Sequence, residues 1–202
     1  MTQPVRQVDV VLLGGGRSRR MGQDKASLVV AGRRLIDHVL DDLAGLPEVG
    51  RVVVVAPDDL PVPPGVLQTM EEPPGGGPVA GLLAGLDELA SQPQDWVGVL
   101  TCDAPRAARL IPQLLAAALG NPDVDGVLAD AGGRRQYLCA VYRVQALRAG
   151  VVGSAHGHPM HRLASRLHTV DLQVSDDLAT DLDDMADVSR FLAQSSDPDI
   201  SP

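Results

Sequence analysis

Between Asp9 and Lys25 the chain reads DVVLLGGGRSRRMGQDK, an apolar run that stops at three glycines and passes at once into cations. Gly14, Gly15 and Gly16 let the backbone take conformations closed to side chains, so amide N–H groups can approach a ligand. Arg17, Arg19, Arg20 and Lys25 put four of the chain's 17 cations within nine residues, in a protein of formal charge −9. Local positive charge in an acidic protein suits a small polyanion such as a phosphate chain. A nucleic-acid surface would raise the charge of the whole domain instead. A glycine turn followed by solvated arginines explains the same residues without a ligand.

Other stretches carry chemistry. Gly75 to Gly77 in EEPPGGGP (71–78) precede a helical pattern, and a helix N-terminus attracts negative charge through its unsatisfied N–H groups; a flexible turn is the other reading. Asp103 follows the apolar run WVGVL (96–100), just past the carboxyl end of a buried strand, where ligands of open α/β sheets bind. It suits a metal ligand or a helix N-cap. Cys102 beside it has no basic partner nearby and reads as packing. His156, His158 and His161 fall within six residues, but Gly157 and Pro159 make the segment a loop and nothing converges the three rings on a metal. Contact with an anionic acceptor is the role left to them.

The elements that must position these groups follow from periodicity. Val10 to Leu13 is a strand buried on both faces. Ala26 to Val30, Arg51 to Ala56, Val66 to Met70, Trp96 to Leu100, Asp125 to Ala129, Tyr137 to Tyr142 and His168 to Val174 read as further strands, with Gly132-Gly133 as a hairpin turn. Helical spacing marks Leu35 to Leu43, Val79 to Leu89, a helix begun by Pro105 with Leu110, Leu114, Leu115 and Leu119 on its buried face, and a closing helix through Val188, Phe191 and Leu192. Strands alternating with helices predict a three-layer α/β sandwich with a mostly parallel sheet.

The 202 residues, 45% of them hydrophobic, suffice for one domain over 1–194, and SSDPDISP (195–202) reads as a disordered tail. With 2% aromatic residues the core is aliphatic and few rings remain to stack single-stranded nucleic acid. Two cysteines in apolar runs argue against a disulfide framework. The N-terminus lacks the long apolar stretch of a signal peptide, and no run reaches the 18 apolar residues or so of a membrane span. A cytoplasmic protein is expected, with neither membrane nor nucleic acid as partner.

Two common glycine motifs fail on the opening loop. A P-loop needs Gly-Lys then Ser or Thr, whereas Gln23 follows Gly22 and Ala26 follows Lys25. In the dinucleotide fingerprint the third glycine falls on Arg19, too large for close helix–strand packing. LGGGRSRRMGQDK instead resembles the L-A-G-G-x-x-x-R-M-G-x-x-K loop of the MobA-like nucleotidyltransferases, among them the molybdenum cofactor guanylyltransferases, departing from it at Gly14. EEPPGGGPVAGL is similar to that family's E-D-x-x-x-G-G-P-L-A-G-L segment, with Glu72 where Asp is usual, and TCDAP to its P-C-D-x-P metal motif. ATDLDD resembles its F-x-N-x-N-T or D-x-D-T stretch, with Asp181 and Asp183 in the Asn or Asp places and Asp184 in that of Thr.

The resemblance implies a Rossmann-like fold of the nucleotide-diphospho-sugar transferase type. It implies that Leu13, Gly14, Gly15 and Gly16 lie along a nucleotide whose phosphates Lys25 reaches, and that Glu72 accepts the N1–H and N2–H edge of guanine. Asp103 and Asp183 would share a Mg²⁺, and Arg134 and Gln136, in a segment like the family's G-x-R-[DE]-[HQ], would hold the acceptor. The implied reaction is attack by the terminal phosphate of molybdopterin, or of its molybdenum form, on the α-phosphorus of GTP, with Lys25 and Arg19 or Arg20 offsetting charge on the departing pyrophosphate. A CTP-dependent cytidylyltransferase on the same pterin or another phosphorylated acceptor, and a catalytically silent nucleotide-binding regulator, stand beside it. The implied partners are small molecules, with contact to other cofactor-biosynthesis proteins left open.

Overall fold

A computed structural model describes residues 7–14, 25–182 and 184–195. In chain order its strands are β1 (Val8–Leu13), β2 (Val29–Val30), β3 (Arg33–Arg34), β4 (Val49–Val55), β5 (Leu67–Thr69), β6 (Trp96–Thr101), β7 (Gly126–Ala131), β8 (Arg134–Arg143) and β9 (Thr169–Val174). The helices are α1 (Leu35–Ala44), α2 (Pro78–Glu88), α3 (Ile111–Gly120), α4 (Val144–Gly150), α5 (Met160–Ala164), α6 (Asp176–Ala179) and α7 (Met185–Ser195). Seven strands form one sheet in the order β5-β4-β1-β6-β8-β7-β9, and β2 and β3 form a separate hairpin. All neighbours in the large sheet are parallel except β8, which runs antiparallel to both β6 and β7. The alternating pattern of the sequence and this mostly parallel sheet agree.

Helices cover both faces because the central strands are apolar on both. On one side Val10 and Leu12 of β1 pack with Ile36, Val39 and Leu43 of α1 and with Ile111 and Leu114 of α3. On the other, Val11 and Leu13 pack with Leu82 and Leu86 of α2, Leu147 of α4 and Met160 and Leu163 of α5. A smaller cluster joins Val30 and Leu35 to Leu182, Val188 and Phe191, so α7 docks beside the β2–β3 hairpin and brings the end of the chain back over the sheet.

Several elements differ from expectation. The helix expected from Pro105 starts later, as a 3₁₀ turn at Ala107–Leu110 followed by α3, with Pro112 in its first turn, where a missing N–H leaves nothing unsatisfied. The strand expected from Ala26 shortens to Val29–Val30 behind a 3₁₀ turn at Lys25–Ser27. Helices α4 and α5 lie where no helix is read from sequence, being too short to show a period. Of the C-terminal tail, residues 196–202 lie outside the described residues. No helix among the described residues is long and apolar enough to cross a membrane.

At the amino ends of the strands a buried charge closes the sheet. Asp9, 3% exposed, sits in β1 where the register with β4 shifts. Its carboxylate accepts the Arg51 backbone N–H at 2.8 Å and pairs with the Arg51 guanidinium at 2.6 Å. The ladder bond lost at the irregularity is thus replaced by a charged one.

Helix α2 lies close on the sheet because Gly81 and Gly85 share one of its faces. A methyl group at Gly85 would come within 2.7 Å of Val11 Cγ1, and one at Gly81 within 3.3 Å of Leu13 Cδ2. Gly85→Ala is therefore expected to destabilise the fold by about 1–3 kcal/mol through overpacking. Gly120→Ala, whose new methyl would meet nothing within 4 Å, should leave stability unchanged or raised. Chemical denaturation of the two variants checks the pair.

Candidate active site

The chain leaves β1 toward β4 and β5, then returns to build β6 on the other side of β1, so the strand order reverses between β1 and β6. In open α/β sheets the crevice at the carboxyl ends of such a pair binds ligands. Here Leu13 and Thr101 are register partners at the two strand ends. The Cys102 N–H donates to the Leu13 carbonyl at 3.2 Å, and the Cys102 thiol lies 3.9 Å from the Gly14 carbonyl oxygen. The start of the glycine loop and Asp103 therefore flank one crevice. Gly14 does not have a positive φ. Its lack of a side chain answers to packing, since a methyl there would stand 3.2 Å from Ala56 Cβ. Gly15, Gly16, Arg19, Arg20 and Asp183 lie outside the described residues, and for Lys25 only the backbone, which opens the 3₁₀ turn, is described.

Beside the crevice lies a cleft of ≈ 450 Å³ whose lining includes Pro78, Thr101, Asp103, Gln136, Tyr137, Cys139, His161 and Asp181, a size suited to a small-molecule substrate. Asp103 caps no helix, because the 3₁₀ turn that follows starts four residues later behind Arg106. The Leu182 N–H donates to the Asp103 carbonyl at 2.8 Å, which fastens the C-terminal stretch against this strand end and puts Asp181 on the same cleft. Two carboxylates are hard oxygen donors of the kind Mg²⁺ takes. Among the described residues no three His, Cys, Asp or Glu cluster closely enough to cage a metal; Mg²⁺ bound by one or two carboxylates completes its shell with water and substrate phosphates. Asp184 has a different task. Its carboxylate accepts the Ala186 and Asp187 N–H groups at 2.8 and 2.9 Å, capping α7, and these bonds, that from Asp187 foremost, hold it below the usual carboxylate range.

The second glycine loop leads into Pro78, which lines the cleft. Gly75 and Gly77 have φ of 82° and 85°, open to glycine at little cost, and a methyl on Gly76 would come within 2.7 Å of Ala80 Cβ. One Glu71 oxygen accepts the N–H groups of both Gly75 and Gly76 at 3.1 Å. Glu72, the residue singled out from sequence, is exposed, and its side chain has no hydrogen-bond partner among the described residues. Glu71 is thus a residue that reading the motif passed over; only the loop conformation reveals it.

The far wall is made by a large bulge in β8. Ala140 pairs with Leu128 and Gln136 with the next β7 residue, Ala129, so Tyr137, Leu138 and Cys139 drop out of the ladder with β7. They also lie beyond the last pair with β6, Val99 and Ala140. Bulges of this kind re-aim side chains at sites. The buried Tyr142 hydroxyl donates to the Tyr137 carbonyl at 2.9 Å, and burial raises the Tyr142 phenol, which keeps it a donor. Burial, aided by Asp181, pushes the Cys139 thiol up to about 12, so it stays protonated at neutral pH. Arg134 is exposed at the foot of β8 and absent from the cleft wall, while its neighbour Arg135 lines it. Arg135 donates to Asp171 and to the Thr169 hydroxyl, both at 2.7 Å, and lies over the Tyr137 ring at 5.7 Å. Burial opposes the Arg135 charge, but Asp171 outweighs it and the guanidinium pKa is raised.

Fold and site together define a mostly parallel α/β protein with a crevice at the sheet's switch point. The family model for the MobA-like NTP transferase domain matches residues 10–170, and the chain belongs to that family. It is similar to a molybdenum cofactor guanylyltransferase of Aliivibrio fischeri, 34% identical over 145 residues, which cover 65% of this chain and 66% of that protein. A probable molybdenum cofactor guanylyltransferase of Bacillus cereus is 29% identical over 138 residues, with the same coverage. The chain thus spans 66% of the length of these curated relatives. Among solved structures, molybdopterin-guanine dinucleotide biosynthesis protein A from Archaeoglobus fulgidus superposes with TM-score 0.64 at 18% identity, over 93% of this chain and 100% of that one. A 2-C-methyl-D-erythritol 4-phosphate cytidylyltransferase from Thermus thermophilus does so at 0.64 and 16%, over 94% and 98%. These two likenesses show the shared fold.

Because Glu71 braces the glycine loop, Glu71→Ala should release the Gly75 and Gly76 amides to hydrogen exchange and cost about 1.5–3 kcal/mol, the range for hydrogen bonds to a charged acceptor. Glu72→Ala should leave those amides as protected as before. Residue-resolved exchange, read with denaturation, separates the two.

Proposed function

We propose that the protein is a nucleotidyltransferase that joins GMP from GTP to the terminal phosphate of molybdopterin or its molybdenum form, releasing pyrophosphate. The observation that carries this reading is the meeting, at the β1–β6 switch point, of the glycine-loop start and the Cys102–Asp103 strand end at one crevice, in a chain of the MobA-like family. The acceptor oxygen forms a bond to the α-phosphorus as the bond to the β-phosphate oxygen breaks, and pyrophosphate leaves. No protein nucleophile is required. A phosphate monoester with a second pKa near 6 is largely dianionic at neutral pH, so the protein's work is alignment and charge neutralisation. The Cys139 thiol, raised to about 12, is no candidate nucleophile.

Each side chain has a place in this scheme. Backbone amides of the Leu13–Gly16 turn lie along the nucleotide, and Lys25 with Arg19 or Arg20 neutralises the leaving pyrophosphate. Asp103, joined by Asp183 or by Asp181 on the same cleft, would hold Mg²⁺, which when bound supplies charge stabilisation at the reacting phosphates. The Glu72 carboxylate accepts the guanine N1–H and N2–H edge, Glu71 being taken up by its own loop. Gln136 and Arg134 are the acceptor-side residues, with Arg135 as the arginine that reaches the wall. The protein acts in the cytoplasm on small molecules.

Pyrophosphate release is to be measured with each of the four NTPs, with and without phosphorylated pterin. GTP with the pterin should give turnover; CTP outpacing GTP would overturn the choice of nucleotide. Asp103→Asn is expected to lower turnover about 100-fold or more, the scale of losing one preorganised electrostatic contact at a reacting centre, while GTP binding persists. Lys25→Ala should impair both. Near wild-type turnover in Asp103→Asn would remove the metal assignment.

A further inference from the structure

We infer that His161 binds the phosphate of the acceptor, an assignment that rests on the nucleotidyl-transfer reading above. The need for such a residue is electrostatic. A phosphomonoester dianion in the cleft that Asp103 lines needs hydrogen-bond donors around its oxygens, and bonds to a charged acceptor are the strong ones. The wall made by β8 and α5 is where the described lining offers them. Arg135 is committed there to Asp171 and Thr169. Gln136 and His161 also line the cleft, and neither side chain has a hydrogen-bond partner among the described residues. Gln136 offers a neutral amide, whereas an imidazole beside a phosphate can donate a charge-assisted hydrogen bond.

The ring is also held in place. His161 is the second residue of α5, next to Met160, which is 3% exposed in the core and anchors the helix to the sheet. Its ring lies 6.2 Å from the Tyr137 ring at an interplanar angle of 60°, so the β8 bulge backs it. The loop before it is fastened to the second glycine loop, where the Gly157 N–H donates to the Gly76 carbonyl at 2.7 Å. The three histidines therefore divide their work. His156 packs on the second glycine loop, its Nδ1 being 3.1 Å from where a Gly76 methyl would stand, while His161 faces the cleft. The segment spans from the nucleotide side to the acceptor side and presents a fixed donor to the latter, which lowers the ordering cost of binding.

The test is calorimetric titration, without triphosphate, of a pterin phosphomonoester and of its dephosphorylated form into the whole chain, beside steady-state kinetics with GTP. His161→Leu should weaken binding of the phosphorylated pterin and raise its KM by about tenfold, the scale of one charge-assisted hydrogen bond. The KM for GTP and the weak binding of the dephosphorylated form should stay unchanged, and His161→Gln, which keeps a donor, should recover part of the loss. Wild-type binding of the phosphorylated pterin with no change in His161→Leu sinks this inference alone, as does an equal loss for the dephosphorylated form. If the wild-type chain neither binds the phosphorylated pterin nor transfers to it, the nucleotidyl-transfer reading falls and this assignment with it.

Discussion

The pairing of β1 with β6 is the constraint on which the rest depends. Parallel strands align their carboxyl ends, and a chain that leaves one strand to the left and rejoins the sheet on its right must open a crevice between the two connections. Residues 88 apart in sequence, Gly14 and Cys102, thereby come into contact through the thiol and the carbonyl oxygen. No local preference could bring a glycine turn and an aspartate together over that separation. The sheet does it, and the helices serve it: α1 and α3 on one face and α2, α4 and α5 on the other bury the strands so completely that register has one solution.

A second departure from the parallel pattern shapes the other half of the cleft. Because β8 runs antiparallel between β6 and β7, its amino end lies at the same edge as the carboxyl ends of its neighbours. The bulge at Tyr137 to Cys139 then costs ladder bonds at the point where the cleft forms, and the Tyr142 hydroxyl restores one of them. The parallel strands thus supply the glycine-loop start and the Asp103 carboxylate on one side, and the antiparallel strand supplies the wall facing them.

Much of this was legible in the residues. The runs that became β1 and β6 announce themselves because strands buried on both faces must be apolar throughout, and the Gly132-Gly133 hairpin follows from turn chemistry, both glycines having positive φ. The position of Asp103 past a buried strand already pointed to the crevice. What was not legible depends on contacts remote in sequence. That β8 inserts between β6 and β7 is a non-local pairing with no sequence period. Arg134 and Arg135 are adjacent, and only the strand's start and bulge decide which reaches the cleft. Glu71 and Glu72 likewise differ by one residue, and the loop's path, not its composition, turns one carboxylate onto two amides. Helices of seven and five residues, α4 and α5, are shorter than the window in which a helical period can be seen, which is why a histidine on the first turn of α5 reads as a loop residue from sequence.

That an acidic chain should be proposed to handle polyanions poses a last question, and it turns on the placement of its charges. At physiological ionic strength a charge is screened beyond about 8 Å, so the net −9 matters less than what stands within that radius of the cleft. Elsewhere arginines are spent on the fold: Arg34 on Asp37, Arg51 on Asp9, Arg109 on Asp42 and Arg148 on Asp87. These pairs neutralise acids locally. The cations of the opening motif, Arg17, Arg19, Arg20 and Lys25, follow the β1 terminus directly in sequence. Two cleft carboxylates with a divalent ion between them and the substrate would convert the remaining acidity from an obstacle into a ligand set. In the proposed reaction these aspartates would hold the ion and the cations of the opening motif would serve the nucleotide, which would leave the acceptor phosphate to the donors on the β8 and α5 wall.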